Sequence, residues 1–157
     1  MLIVFDLDFT LWDAGGTWCD HTTPPYRKRN DHIRDGANRE IYLYPDVPGI
    51  LNALNEKDIT LALASRTHSL KVAIELLELF EVRGYFKYEE IYPGSKSQHF
   101  ESLHKTTRIP YNEMFFFDDE YRNIVEVGKM GVHASLVDDG LTLAAVQKVP
   151  GLENLMA

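Results

Sequence analysis

Runs of apolar residues alternate along the chain with segments whose apolar positions recur every three or four residues. Leu2 to Phe5 is an unbroken apolar run and reads as a buried strand over residues 2–7. Residues 11–45 show no sustained periodicity and hold Gly15-Gly16, Pro24-Pro25 and the charged Arg27-Lys28-Arg29. They read as a long loop with at most a small hairpin, and a loop of that length in a compact domain is usually functional. A helix follows, with Asp46 as N-cap, Pro48 in the first turn and an apolar face of Ile50, Leu51 and Leu54. Residues 59–64 form a second strand. Residues 69–80 form a helix on Leu70, Ala73, Leu77 and Phe80. Further strands are expected at 88–92, 113–117 and 132–137, with helices at 96–106, 121–130 and 141–148.

This alternation predicts an α/β fold: a Rossmann-like, doubly wound parallel sheet with helices on both faces, formed as a single domain over residues 1–157. In such sheets ligands bind beyond the carboxyl ends of the strands, near the reversal of strand order. Four expected strands end in polar sets. They are Asp6-Leu7-Asp8-Phe9-Thr10, Ala64-Ser65-Arg66-Thr67, Pro93-Gly94-Ser95-Lys96 and Asp118-Asp119-Glu120. In an extended strand, residues two apart share a face, so Asp6 and Asp8 can point the same way. Two carboxylates beside an apolar core are costly unless satisfied. The pair is held by a cation or serves as nucleophile and acid; the alternative is a pair of ordinary loop aspartates.

The totals narrow the classes. A chain of 157 residues suits one domain, and its 45% apolar and 25% charged content is that of a soluble globular protein. The net charge of -8 argues against general affinity for nucleic acid or an anionic membrane. The single cysteine, Cys19, precludes an internal disulfide and fits a reducing compartment. No apolar run approaches the roughly 18 residues of a membrane span, and the start lacks signal-peptide character. A cytoplasmic monomer is expected.

The four strand ends together offer the residue types that phosphate transfer would need. Several aspartate oxygens suit Mg²⁺, whereas no Cys and His cluster has zinc spacing. An aspartate can attack phosphorus. Two like unit charges 4 Å apart repel by roughly 4 kcal/mol at a surface-like dielectric, a cost that Mg²⁺ and one lysine would offset. Asp6, Asp8, Asp118 and Asp119 against Lys96 leave three negative charges. A divalent cation and a proton on Asp8 bring the site to neutrality.

These motifs resemble, in order, the four sequence motifs of the haloacid dehalogenase (HAD) superfamily: Asp6-Leu7-Asp8-Phe9-Thr10, Ser65, Lys96 and Asp118-Asp119. The longer stretches Asp-Leu-Asp-Phe-Thr-Leu-Trp, Ala-Ser-Arg-Thr, Gly-Ser-Lys and Phe-Phe-Asp-Asp-Glu-Tyr-Arg-Asn look like the capless magnesium-dependent phosphatases of that superfamily. The resemblance implies phosphomonoesterase activity on phosphotyrosine or sugar phosphates, with a phosphorylated small molecule or a phosphoprotein side chain as partner. It implies Asp6 as the nucleophile and Asp8 as the general acid and base. Ser65 would bond a phosphoryl oxygen, and Lys96 would neutralise charge. The Mg²⁺ ligands would be Asp6, Asp8 through its backbone carbonyl, Asp118 and Asp119. Arg66 joins Ser65 and Lys96 as a candidate substrate-binding residue, although for it and Arg122 pairing with the aspartates is favoured over contact with phosphate. A phosphomutase, or a receiver-like phosphate-binding module without enzyme activity, stands as the alternative; Asp8 argues against the latter.

Spacing bears on the cap. Residues 11–64, 54 in all, separate Thr10 from Ser65, and residues 66–95, 30 in all, separate Ser65 from Lys96. Neither leaves room for a cap domain, so a modest flap at about 11–45 is expected, with Arg27, Lys28, Arg29, Arg34 and Arg39 as a solvated loop or an attractor of anionic substrate. Trp12, Trp18 and Tyr121 are candidates to stack on an aryl group, and equally to pack or anchor loops. His68 is a candidate to line the opening, with a helix-cap role favoured, and His99 and His104 are expected on the surface or in packing.

Overall fold

A computed structural model of the chain describes residues 1–30 and 32–157. The apolar run at the start forms β1 (Leu2–Phe5). It is followed by β2 (Trp12–Asp13), β3 (Arg27–Arg29), β4 (His32–Arg34), β5 (Glu40–Leu43), α1 (Val47–Glu56), β6 (Thr60–Ser65), α2 (Leu70–Leu79), β7 (Tyr88–Ile91), α3 (Lys96–Thr107), β8 (Met114–Asp118), α4 (Tyr121–Gly128), β9 (His133–Leu136) and α5 (Leu143–Val146). Five strands build one parallel sheet in the order β7-β6-β1-β8-β9. The first strand is central, with Phe5 opposite Leu63 on one side and Phe117 on the other. Strand order reverses at β1 and β8, which makes their carboxyl ends the place for a ligand.

The strands read as continuous apolar runs because both faces of the sheet are covered. Ile3, Phe5, Leu61, Leu63 and Phe117 pack into a layer with Val47, Ile50, Leu51 and Leu54 of α1, Ala73, Leu76 and Leu77 of α2, and Val146 of α5. Leu2, Val4, Ala62, Ala64, Met114 and Phe116 pack on the other face with Phe100 and Leu103 of α3 and Val127 of α4. Phe5 and Phe117 stack with centroids 5.8 Å apart, and burying each ring contributes on the order of 2 kcal/mol. The Ser69 and Ser95 hydroxyls cap α2 and α3 by accepting from the backbone N–H of Val72 and Gln98.

The structure departs from the sequence reading in four places. The stretch read as a loop is an antiparallel four-stranded sheet, β2-β5-β4-β3. That reading also covered Asp31, which lies outside the described residues. The strands are two to four residues long, and β3 is exposed throughout, so alternation has little length in which to register. Asp46 occupies the N-cap position of α1, but its carboxylate makes no cap bond there and instead accepts the backbone N–H of Leu143 at 2.9 Å. Leu70 opens α2 half exposed, and Leu76 takes the core position beside Ala73 and Leu77. The final helix covers only Leu143–Val146, and Val149, Leu152 and Leu155 are buried beyond it. Among the described residues no helix is long and apolar enough to cross a membrane.

Candidate active site

Asp6 continues the register of β1, its N–H donating to the Phe117 carbonyl at 3.1 Å. The chain then curls on itself. Thr10 and Leu11 donate to the Leu7 carbonyl, Phe9 donates to Trp12 O at 2.7 Å, and Phe9 sits at φ +62°. A left-handed conformation costs a bulky residue about 1–2 kcal/mol. The curl returns two side chains to the acids: Thr10 Oγ1 donates to Asp6 Oδ2 at 3.3 Å, and Trp12 Nε1 donates to Asp8 Oδ1 at 2.8 Å. The backbone N–H of Cys19 donates to the same Asp8 oxygen at 2.9 Å. One oxygen of Asp8 is thereby fixed by two donors.

Lys96 begins α3, one residue after the Ser95 cap. It is almost wholly buried. Its Nζ donates to Asp6 Oδ1 at 3.0 Å, lies 3.1 Å from Asp118 Oδ2, and donates to the Ala64 carbonyl at the end of β6. Asp118 is fully buried; its Oδ1 accepts the N–H of Glu120 at 2.8 Å and its Oδ2 accepts Asn123 Nδ2 at 3.1 Å. Asp6, Asp118 and Asp119 each offer an oxygen, all within 4.8 Å of one another.

The electrostatics follow from this crowding. Burial raises the Asp6 carboxyl, and the Lys96 ammonium only partly offsets it. Burial and then Asp6 push Asp118 up to about 6 and Asp119 to about 8. Burial alone would lower Lys96, but the carboxylates of Asp6 and Asp118 outweigh it and hold the ammonium above its usual range. Burial also raises Asp8, against the pull of Trp12 and Cys19. One ammonium thus pairs with two of three close carboxylates, Asp6 and Asp118, and all-oxygen donors in excess negative charge are what a hard divalent cation such as Mg²⁺ requires.

Asp6, Asp8, Ser65, Arg66, Lys96 and Asp119 line one cleft of about 280 Å³. Its rim carries Trp18, Asp20, His21, His68 and Arg122. Arg66 reaches the cleft and donates to Asn123 Oδ1 at 3.3 Å, while Arg122 pairs with Glu120 at 2.9 Å. Trp12 is core and Trp18 half exposed. The N–H of His68 donates to Asp20, and the cap of α2 belongs to Ser69. The flap cations lie elsewhere: Arg27, Arg29 and Arg34 line a separate concavity, Lys28 pairs with Glu81, and Arg39 pairs with Asp35.

The chain matches the family model described as Acid Phosphatase over residues 1–154. The chain belongs to this phosphatase family. It is 46% identical over 155 residues to magnesium-dependent phosphatase 1 of Homo sapiens, covering 98% of this chain and 85% of the human protein. A HAD-like hydrolase superfamily protein of Schizosaccharomyces pombe is 41% identical, with coverage of 83% and 81%. Among solved structures, a HAD family enzyme from Bacteroides thetaiotaomicron in complex with magnesium and inorganic phosphate superposes with a TM-score of 0.67 at 14% identity, covering 92% of this chain and 98% of that one. This phosphatase is therefore a HAD-superfamily hydrolase, and Asp6, Asp118 and Asp119 offer the oxygen donors that a hard divalent cation takes.

Three contributors to the site escaped the sequence reading. Asn123 ties Asp118 to Arg66 and is buried; its signal is its place five residues after Asp118, at the start of a helix that opens on the acids. The sequence offers the Trp12 indole for stacking or for packing, but not as a donor to Asp8, although its N–H falls four residues after that acid. The Cys19 N–H lies eleven residues from Asp8 in a segment without periodicity, and no local pattern marks it.

Proposed function

We propose that this phosphatase hydrolyses phosphate monoesters through an aspartyl-phosphate on Asp6. A carboxylate oxygen of Asp6 attacks phosphorus while the bond from phosphorus to the leaving oxygen breaks, and the carboxyl of Asp8 gives that oxygen its proton. In the second half, the Asp8 carboxylate takes a proton from water. The water oxygen attacks phosphorus, the bond to Asp6 breaks, and inorganic phosphate departs. Ser65 bonds a phosphoryl oxygen, Arg66 assists at the cleft wall, and Lys96 balances charge on Asp6 and the phosphate. Asp6, the backbone carbonyl of Asp8, Asp118 and Asp119 would hold Mg²⁺, which supplies further charge neutralisation.

The observation that carries this reading is the fixed pair at the strand end. Asp6 is held by Thr10 and Lys96, while Asp8, two residues on, has one oxygen anchored by Trp12 and Cys19. A nucleophile and an acid are thus separately oriented. The chain between Thr10 and Ser65 is taken up by the flap sheet and α1, and that between Ser65 and Lys96 by α2 and β7. We read the site as capless, open to bulky esters such as a phosphotyrosine side chain or a sugar phosphate. The test is turnover of p-nitrophenyl phosphate with Mg²⁺ by the wild type, Asp6→Asn and Asp8→Ala. The expected result is no turnover by Asp6→Asn and accumulation of acid-stable phosphoprotein by Asp8→Ala. Activity in Asp6→Asn overturns the nucleophile assignment, and transfer to a second sugar hydroxyl instead of water marks a mutase.

A further inference from the structure

His99 is fully buried on α3, within one turn of Lys96, and the mechanism above does not use it. Its ring touches three backbone carbonyls from three separate segments. Nε2 lies 3.0 Å from Ser65 O, at the end of β6, and 2.9 Å from Tyr92 O, just past β7; Nδ1 lies 2.8 Å from Ser95 O, the N-cap of its own helix. The Tyr92 ring stacks on the imidazole with centroids 4.3 Å apart and planes inclined by 8°. Tyr92 N–H also donates to Ser65 O at 3.1 Å.

These contacts join the two loops that serve the phosphate. Lys96 Nζ takes the carbonyl of Ala64, and His99 Nε2 takes the carbonyl of the next residue, Ser65. Two side chains of α3 therefore fasten consecutive carbonyls at the end of β6. The turn between β7 and α3 passes through Gly94 at φ +132°, a conformation that other residues rarely adopt. The Ser95 end of this turn is bonded by Ser97 and Gln98, and the imidazole closes the turn from inside by meeting the carbonyls of Tyr92 and Ser95.

The proton can be placed by counting acceptors. Nε2 faces two carbonyl oxygens and Nδ1 faces one, and carbonyls accept only. A proton on both nitrogens would satisfy all three contacts. Burial, with the nearby Lys96 ammonium, pushes the ring toward its neutral form, which carries one proton. The side with two acceptors then holds it.

We propose that His99 is a positioning residue for phosphoryl transfer: its Nε2–H bridges the carbonyls of Ser65 and Tyr92, and so sets the separation between Ser65 and Lys96. The proposal rests on the phosphatase mechanism above for its kinetic consequence, but its structural content stands apart from it. A displacement of the order of 1 Å in a charge-stabilising group can cost about a hundredfold in rate.

Three variants separate positioning from packing. His99→Phe keeps an aromatic ring against Tyr92 but has no donor. His99→Gln places an amide nitrogen where Nε2 stands, and His99→Asn places one only as far as Nδ1. With p-nitrophenyl phosphate and Mg²⁺, His99→Phe and His99→Asn are expected to lose kcat by about 10- to 100-fold with KM changed by less than about threefold, while His99→Gln regains most of the loss. A His99→Phe enzyme within twofold of the wild-type kcat, or a Gln variant no better than Asn, overturns the proposal. Ring ¹⁵N NMR of the wild type at neutral pH tests it without any variant: Nε2 is expected to be protonated, and a bare Nε2 overturns the proposal. Absence of wild-type turnover would instead count against the catalytic reading, leaving the tautomer measurement to decide on His99.

Discussion

Lys96 Nζ stands 3.0 Å from Asp6 Oδ1, so one buried ammonium at the start of α3 is shared with a carboxylate ninety residues earlier in the chain. Removing that ammonium leaves Asp6, Asp118 and Asp119 facing one another uncompensated. Lys96→Met is expected to lower kcat by about 10³-fold, the scale of a lost charge-stabilising group. Steady-state kinetics at saturating Mg²⁺ check this; a loss under tenfold would refute the role of Lys96.

The same crowding is expected to destabilise the metal-free protein. Mg²⁺ at a hundred times its dissociation constant stabilises by about 2.7 kcal/mol, a rise of roughly 5–10 °C in Tm for a chain of this size. Asp119→Asn removes one of the repelling acids. Its metal-free Tm should therefore exceed that of the wild type, while its gain on adding Mg²⁺ shrinks. Calorimetry with EDTA and with Mg²⁺ measures both, and an unchanged gain would exclude Asp119 as a ligand.

Trp12→Phe deletes one of the two donors on Asp8 Oδ1 and keeps most of the buried ring. A lost hydrogen bond to a charged group costs about 1.5–3 kcal/mol. A drop of about tenfold in kcat should accompany it, because Asp8 then turns about the single Cys19 contact. Chemical denaturation and turnover are the paired measurements; intact kcat would show that Cys19 alone suffices.

Asp35 anchors the flap. Its carboxylate accepts the backbone N–H groups of Thr23, Ala37 and Arg39 and the Arg39 guanidinium. Burial alone would raise it, but these donors together hold it below the usual aspartate range. A lowered folded-state pKa means that the stabilisation is complete above the unfolded value, about 3.9, and is lost as pH falls through the folded one. Asp35→Asn should therefore lower Tm at pH 7, by about 4–8 °C for a loss of about 2 kcal/mol. The gap from the wild type should close only in strong acid. A gap that persists unchanged there would show that charge is not the cause.

Much of the site could be read in advance because its acids hang on strands buried on both faces. Such strands announce themselves as unbroken apolar runs, and Asp6, Ser65 and Asp118 fall at their ends. The flap could not be read this way. Arg27 and Arg34 lie opposite each other on β3 and β4, and an exposed strand of Arg, Lys and Arg has no buried face to leave a pattern. Asp46 shows a different obstacle. The residue type and position of an N-cap were right, but a competing backbone N–H at Leu143, far along the chain, took the carboxylate. Asn123, Cys19 N–H and His99 owe their roles to tertiary neighbours that local periodicity does not encode.

The place of β1 in the sheet has a consequence for synthesis. Its edges are completed by β6 and by β8, so Asp6 leaves the ribosome long before Asp118 exists to oppose it. Pairing so distant in sequence is slow, and until β8 is made one side of the central strand is an open template for foreign strands. The acid cluster and the second side of the central strand are therefore completed by the same late event.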